Sequence, residues 1–189
     1  MNDFFIVNNE SLPHTFIDQK IEVKQIQVKD LARFSIYAIK IKDALESYSI
    51  ETITPLIEPQ MLNIMGLVSI ATTLSPKTFI ENTAQTKAIA ELVLKIFEVN
   101  ETYFKKDKIH NRTKKETKEV SWFRSFAYLI KSGHRHNDIM DMTYGAFLHY
   151  VKEAQALERQ QIKSYAIATR VANNAKQQGW DKFLKQLDN

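Results

Sequence analysis

The sequence predicts a mainly α chain with a small N-terminal β element, an α+β fold whose two helical parts are joined by a basic linker. Three observations predict it. Apolar residues recur with period two before about Asp30 and with period 3.6 after it. Only 4 Gly and 4 Pro occur in 189 residues, which is little turn punctuation for a β-sandwich or a Rossmann-type sheet. The segment 105–119, KKDKIHNRTKKETKE, holds one aliphatic side chain, Ile109, and cannot bury enough apolar surface to order itself. The reading is therefore a β-plus-helical domain over 1–104, a basic linker over 105–119 and a helical domain over 120–189.

The elements follow in order. The first thirty residues read as extended. Phe4–Val7 is a short apolar run, Ser11-Leu12-Pro13 a turn, and Ile21, Val23, Ile26 and Val28 alternate with polar residues as a half-buried strand does. Leu31, Phe34, Ala38, Ile41 and Leu45 then form a helical stripe to about Ser47, with Asp30 as its N-cap. Pro55 and Pro59 bracket a new start, and 61–73 reads as a helix apolar all round and buried. Gly66 inside it costs about 1 kcal/mol against Ala, which a close helix crossing would explain. Ser75-Pro76 is a further cap-plus-Pro start. Residues 84–104 make the next long helix, with Ile89, Leu92, Val93, Ile96, Phe97 and Phe104 on its face.

Beyond the linker, 121–132 is a short aromatic helix that Gly133 ends as a C′ residue. Asn137 is expected to cap a short helix carrying Ile139 and Met142. Thr143 is expected to cap the longest helix, which runs to about Gln178 with Gly179 as terminator. Its stripe is Tyr144, Phe147, Leu148, Val151, Ala154, then Ile162, Tyr165, Thr169 and Ala172, and it loses register at the polar run 158–161, where a bend, break or exposed middle is expected. A last short helix carries Trp180, Phe183, Leu184 and Leu187. There is no internal repeat.

Composition bounds the chemistry. Apolar residues at 44% and charged residues at 25% are ordinary for a globular chain. With no Cys, disulfides, thiolate nucleophiles and Cys-based zinc sites are excluded, which suits a reducing cytoplasm. The Met-Asn-Asp-Phe-Phe start has no basic n-region and no long apolar stretch follows, so neither a signal peptide nor a membrane span is expected. His134, His136, Asp138 and Asp141 are the one His-containing cluster. Arg135 between the two His disfavours a cation, and no metal-ligand spacing is present. No metal and no cofactor is expected. The Gly residues are isolated, so no phosphate loop or nucleophile elbow exists, and no carboxylate pair stands in an apolar setting. These point away from an enzyme.

Charge is uneven. Residues 1–104 carry 9 basic and 13 acidic side chains, 105–119 carry 7 and 3, and 120–189 carry 10 and 6. A basic second half with Trp122, Phe123 and Tyr128 near Arg124 and Lys131 leaves room for weak, nonspecific, salt-dependent association with nucleic acid. The short helix at Ile139-Met140-Asp141-Met142 lacks the side chains that read base edges. An interaction surface uses more of the sequence. A domain of about 70 residues cannot cover a helix projecting some 50 Å on every side, although a compact bundle hiding it all is the competing reading. The expected partner-binding residues are Trp122, Phe123, Tyr144, Phe147, Tyr150 and Tyr165, with at least one ring left available to a partner or a second copy.

Two stretches carry a resemblance. Residues 91–104, ELVLKIFEVNETYF, have an apolar helix, then Val99-Asn100, then the Tyr103-Phe104 pair, with Glu98 before them. Residues 122–155, WFRSFAYLIKSGHRHNDIMDMTYGAFLHYVKEAQ, run from an aromatic helix through a Gly stop and a short helix into a long aromatic-bearing one. This order resembles tail assembly chaperones of tailed phages. The resemblance implies a non-enzymatic protein of the bacterial host cytoplasm, made by a phage or prophage. Its partners would be the tape-measure protein, which it coats, and the tail-tube subunits. Self-association would be compatible, and no membrane would be involved. The alternatives are a phage or prophage nucleic-acid-binding regulatory protein, or a structural component of the tail.

Overall fold

The computed structural model describes residues 3–105, 122–174 and 176–187. The fold is mainly α with a two-stranded antiparallel sheet near its N-terminal end. It divides into two compact units, Met1–His149 and Tyr150–Asn189. The division thus falls after His149 rather than within 105–119. Apart from Lys105, that expected linker lies outside the described residues.

The first unit begins with α1 (Asp3–Val7). The run read as extended is thus helical, and it buries Phe5 while Phe4 stays 77% exposed. Strands β1 (Leu12–Phe16) and β2 (Gln19–Val23) pair in register from Leu12↔Val23 to Phe16↔Gln19 across a two-residue turn. The expected turn at Ser11-Leu12-Pro13 is instead a strand start, and Pro13 is tolerated there because this small sheet has open edges. Ile21 and Val23 point inward as their alternation requires.

Ile26 and Val28 also point inward, but they do not extend the sheet. Val28–Asp30 is a 3-10 turn leading into α2 (Leu31–Ala44). All five residues of the expected stripe, Leu31, Phe34, Ala38, Ile41 and Leu45, are buried. Asp30 is already helical and makes no side-chain cap; its carboxylate instead meets Arg33 at 3.3 Å. Helix α3 (Ile50–Ile53) starts on a capping box between Ser49 and Thr52. Pro55 stands in the 3-10 turn Thr54–Leu56, ahead of α4 (Met61–Ala71).

Helix α4 buries Ile64, Leu67, Val68 and Ala71 but leaves Leu62 75% exposed, so it is buried on one face rather than all round. Gly66 marks its crossing with α2, where a Cβ would stand 2.5 Å from the Tyr37 ring. Helix α5 (Pro76–Glu81) is capped by Ser75, whose Oγ accepts from the Thr78 N–H at 3.0 Å. The long helix expected over 84–104 is two helices, α6 (Thr86–Val99) and α7 (Glu101–Phe104), interrupted at Asn100.

Helix α8 (Trp122–Lys131) ends as expected. Gly133 takes a φ of +99°, its N–H donates to Ile130 O, and the His134 N–H donates to Leu129 O. This is the paired bonding of a Schellman stop. Helix α9 (His136–Asp141) has Arg135 at its N-cap without a side-chain bond, and Asn137 lies inside the helix rather than capping it. Helix α10 (Tyr144–Asn174) begins in the first unit. Thr143 caps it, accepting from the Ala146 N–H at 3.1 Å.

The core of the first unit gathers Phe16, Phe34, Phe79, Phe97 and Phe104 with the aliphatics of α2, α4 and α6. The 26–28 segment is joined to 142–144. The Val28 N–H donates to Met142 O at 2.9 Å, the Tyr144 N–H donates to Ile26 O at 2.7 Å, and Gln27 bridges Thr143. These bonds make α8, α9 and the start of α10 part of the same unit as the sheet and α2.

The second unit holds the later turns of α10 and α11 (Gln177–Leu187). Helix α10 passes through 158–161 without a break, and the exposed middle is the expectation that forms: Arg159, Gln160 and Gln161 are exposed, and polar side chains there do not interrupt backbone hydrogen bonding. It ends at Asn174, short of the expected Gln178, and Gly179 lies within α11 rather than terminating a helix. Trp180 and Phe183 of α11 place their rings 5.9 Å apart. Among the described residues, no single helix is long and apolar enough to cross a membrane.

Candidate functional site

Helix α8 is strongly two-sided. Leu129 and Ser125 are buried, with Trp122 and Phe126 beside them on the inner side. Phe123 and Ile130, seven residues apart and so on one strip, face out at 85% and 50% exposed. Trp122 is 47% exposed. Its indole stacks on Phe147 at 5.6 Å and 22°, and it lies 6.1 Å from Phe126 and 6.5 Å from Tyr144. Phe126 in turn meets Phe147 at 5.6 Å and His136 at 6.0 Å. The aromatic floor is therefore fixed by rings on α8, α9 and α10.

Beside this floor runs an apolar groove of about 280 Å³. Val28, Leu31, Ala32 and Ser35 line one wall, and Trp122, Phe126 and Met140 the other. It is smaller than the pockets that enclose small molecules, and its size suits one or two anchoring side chains of a partner chain. The contacts at 26–28 and 141–144 hold the walls together. Gln27 Nε2 donates to Asp141 O at 2.9 Å, and Lys29 Nζ reaches Asp141 Oδ1 at 2.6 Å across an exposed surface. That bond is the largest cause raising the Lys29 pKa.

The residues expected to bind a partner are dispersed. Trp122 and Phe123 reach the surface together. Tyr144 is half-buried, with its ring 5.9 Å from Tyr103. Phe147 is 1% exposed and belongs to the packed floor, since its position on the α10 stripe faces α8. Tyr150 and Tyr165 belong to the second unit, half-buried and 64% exposed respectively. Val28, Leu31, Ala32, Ser35 and Met140 carry no sequence signal as site residues. They join the groove through long-range pairing.

A second, more polar cleft of about 230 Å³ gathers Asp3, Gln25, Asn100, Glu101, Lys105, Thr143 and His149 among its lining. Three of these side chains, Gln25, Asn100 and Thr143, are committed to the fold. Gln25 Nε2 donates to Phe5 O at 2.7 Å and to Glu10 O at 2.9 Å. Asn100 Oδ1 accepts from the Ile26 N–H at 2.8 Å, and its Nδ2 donates to Lys24 O and Ile96 O at 3.1 Å each. Thr143 Oγ1 donates to Ile6 O at 2.8 Å. Among the described residues, no buried side-chain nitrogen or oxygen lacks a partner, and no three His, Asp or Glu side chains are grouped to hold a metal. The His134, His136, Asp138 and Asp141 cluster therefore does not converge.

What the first unit presents at α8 is an exposed aromatic surface beside an apolar groove. Compared with protein-family models, with curated proteins and with solved structures, the chain matches none.

Proposed function

We propose that the chain is a non-enzymatic tail assembly chaperone of a tailed phage or prophage. It would bind the tape-measure protein in the host cytoplasm and hand it to the tail-tube subunits. The observation that carries this reading is that α8 exposes Phe123 at 85% while its neighbour Trp122, 47% exposed, lines the apolar groove. The likeness of 91–104 and 122–155 to that family supports it.

The energetics suit the role. Large aromatics bury on the order of 150–250 Å² each. Covering the exposed parts of Trp122, Phe123 and Ile130 removes roughly 270–400 Å² from water, or about 7–10 kcal/mol gross at 25 cal/mol/Å². Lost translational and side-chain freedom consumes much of that. Each site alone is therefore weak and reversible, as a coat must be if tail-tube subunits are to displace it. Many copies along one client would hold collectively.

The test is co-expression with a tape-measure segment. The parent should keep the segment soluble and co-purify with it. Phe123→Ser and Trp122→Ala, shown to be folded by circular dichroism, should lose both properties. Folded variants that retain the client as well as the parent would refute the assignment. A sequence-selective shift of a DNA oligonucleotide that survives raised salt would favour the regulatory alternative.

A further inference from the structure

Helix α10 carries an ordered charge pattern in the second unit. Lys152, Arg159, Lys163 and Arg170 are all exposed and follow one another at intervals of 7, 4 and 7 residues. At 3.6 residues per turn these intervals bring the four to within about 40° of one another, in a row about 27 Å long. No acidic side chain of α10 enters that row: Glu153 falls about 100° to one side of its centre, and Glu158 about 120° to the other, at the head of the neighbouring strip. The neighbouring strip carries Ile162, Tyr165, Ala166 and Thr169, all exposed, with Ile162 at 62% and Tyr165 at 64%. The Gln161 amide donates to the Tyr165 hydroxyl at 2.8 Å, which ties the ring to its own helix.

From Ile162 onward this strip is largely apolar, and with like charges along one edge it has the form of one half of a two-helix seam, in which flanking charges select the partner. The second unit has about 40 residues, near the size below which a chain needs an associate to complete a core. We propose that this face of α10 receives an acidic amphipathic helix. The apolar side of that helix would cover Ile162 and Tyr165, and its carboxylates would lie along Lys152, Arg159 and Lys163. A second copy of the same face packed antiparallel would set basic row beside basic row, whereas an acidic helix satisfies the row. The exposed isoleucine favours a protein partner over a phosphate backbone, which is met by charge and hydrogen bonds. The inference rests on the protein-binding reading above and adds the chemistry of the partner segment.

The test uses the full chain and labelled probes in fluorescence anisotropy. The probes are an acidic amphipathic helical peptide of Leu and Glu, a scrambled peptide of the same composition, and a DNA oligonucleotide. The ordered peptide should bind at least about tenfold more tightly than the scrambled one, because only it presents an apolar side. Reversing Arg159→Glu with Lys163→Glu should weaken it by about tenfold or more, and so should Ile162→Ser with Tyr165→Ser. Raising the salt to about 1 M, where the Debye length is about 3 Å, should remove the first effect and spare the second. Should the charge reversal unwind the helix by circular dichroism, Arg159→Gln with Lys163→Gln replaces it. Equal binding of ordered and scrambled peptides, unchanged binding by folded variants, or tighter binding of DNA would overturn the proposal. Failure here with the tape-measure segment still retained through Trp122 and Phe123 would remove this partner class alone and leave the chaperone reading standing.

Discussion

Asn100→Ala removes the side chain that joins the end of α6 to the strand-to-helix passage at 24–26. In the folded protein the Asn100 amide is 7% exposed and makes three bonds, accepting from the Ile26 N–H and donating to Lys24 O and Ile96 O. Ile96 O also accepts from the Asn100 N–H at 3.0 Å, so it keeps a partner. Lys24 O is only part-buried and can recover a water. The Ile26 N–H is buried and loses its acceptor. A buried donor left unpaired costs about 1–3 kcal/mol, and the vacated side-chain volume adds to it. The expected loss is therefore about 2–3 kcal/mol. With an m-value near 2 kcal/mol/M for a chain of this size, the urea midpoint should fall by about 1 M at unchanged slope. Asn100→Asp keeps the acceptor but turns a carboxylate towards two carbonyls. It should also be destabilised at neutral pH and recover in part as acid makes the carboxyl a donor. A loss under about 0.5 kcal/mol for Asn100→Ala would refute the argument, because it would mean water already serves the Ile26 N–H.

Three further outcomes follow from packing, capping and titration. Gly66→Ala should lose about 1–2 kcal/mol despite better helix propensity, because the new Cβ meets the Tyr37 ring at 2.5 Å; in a Tyr37→Leu background the same change should turn neutral or stabilising in urea melts. Thr143→Val should cost about 2 kcal/mol by losing both the Ala146 cap and the bond to Ile6 O, whereas Thr143→Ser should keep most of both. Burial lowers the His14 pKa below 6.5, with Lys95 acting in the same direction and Glu91 opposing. The unfolded chain then binds the proton first, so this contribution is complete above about pH 6.5 and is lost as the pH falls through the lowered value. Relative to His14→Gln, the parent should lose stability below that pH and show a constant difference above it.

Local chemistry was legible where neighbours in the sequence decide the structure. The α2 stripe, the Ser75 and Thr143 caps and the Gly133 stop depend on residues three to five apart. Where a distant partner decides, local pattern misleads. Ile26 and Val28 continue a period-two pattern, yet their backbone bonds go to residues 142–144 rather than to a third strand. Asn100 looks like one polar residue on a helical stripe, but its amide is committed to Lys24 and Ile26, and α6 ends there. Asn137 is a better cap by type than Arg135, yet the helix starts one residue before it. Phe147 and Phe123 are equally aromatic in the sequence; only the packing of Trp122 and Phe126 separates a floor ring from a rim ring. The groove is the extreme case, since its two walls are separated by about 90 residues of chain.

The central claim is that the aromatic rim of α8 and its groove meet the client. Hydrogen–deuterium exchange of the full chain, with and without a tape-measure segment, tests it most directly, because slowed exchange maps the covered backbone. The account predicts new protection over 122–131 and at the start of α2 around Ala32 and Ser35, reduced in a folded Phe123→Ser variant. Client binding that leaves α8 and α2 unprotected while slowing exchange elsewhere in the first unit would contradict it.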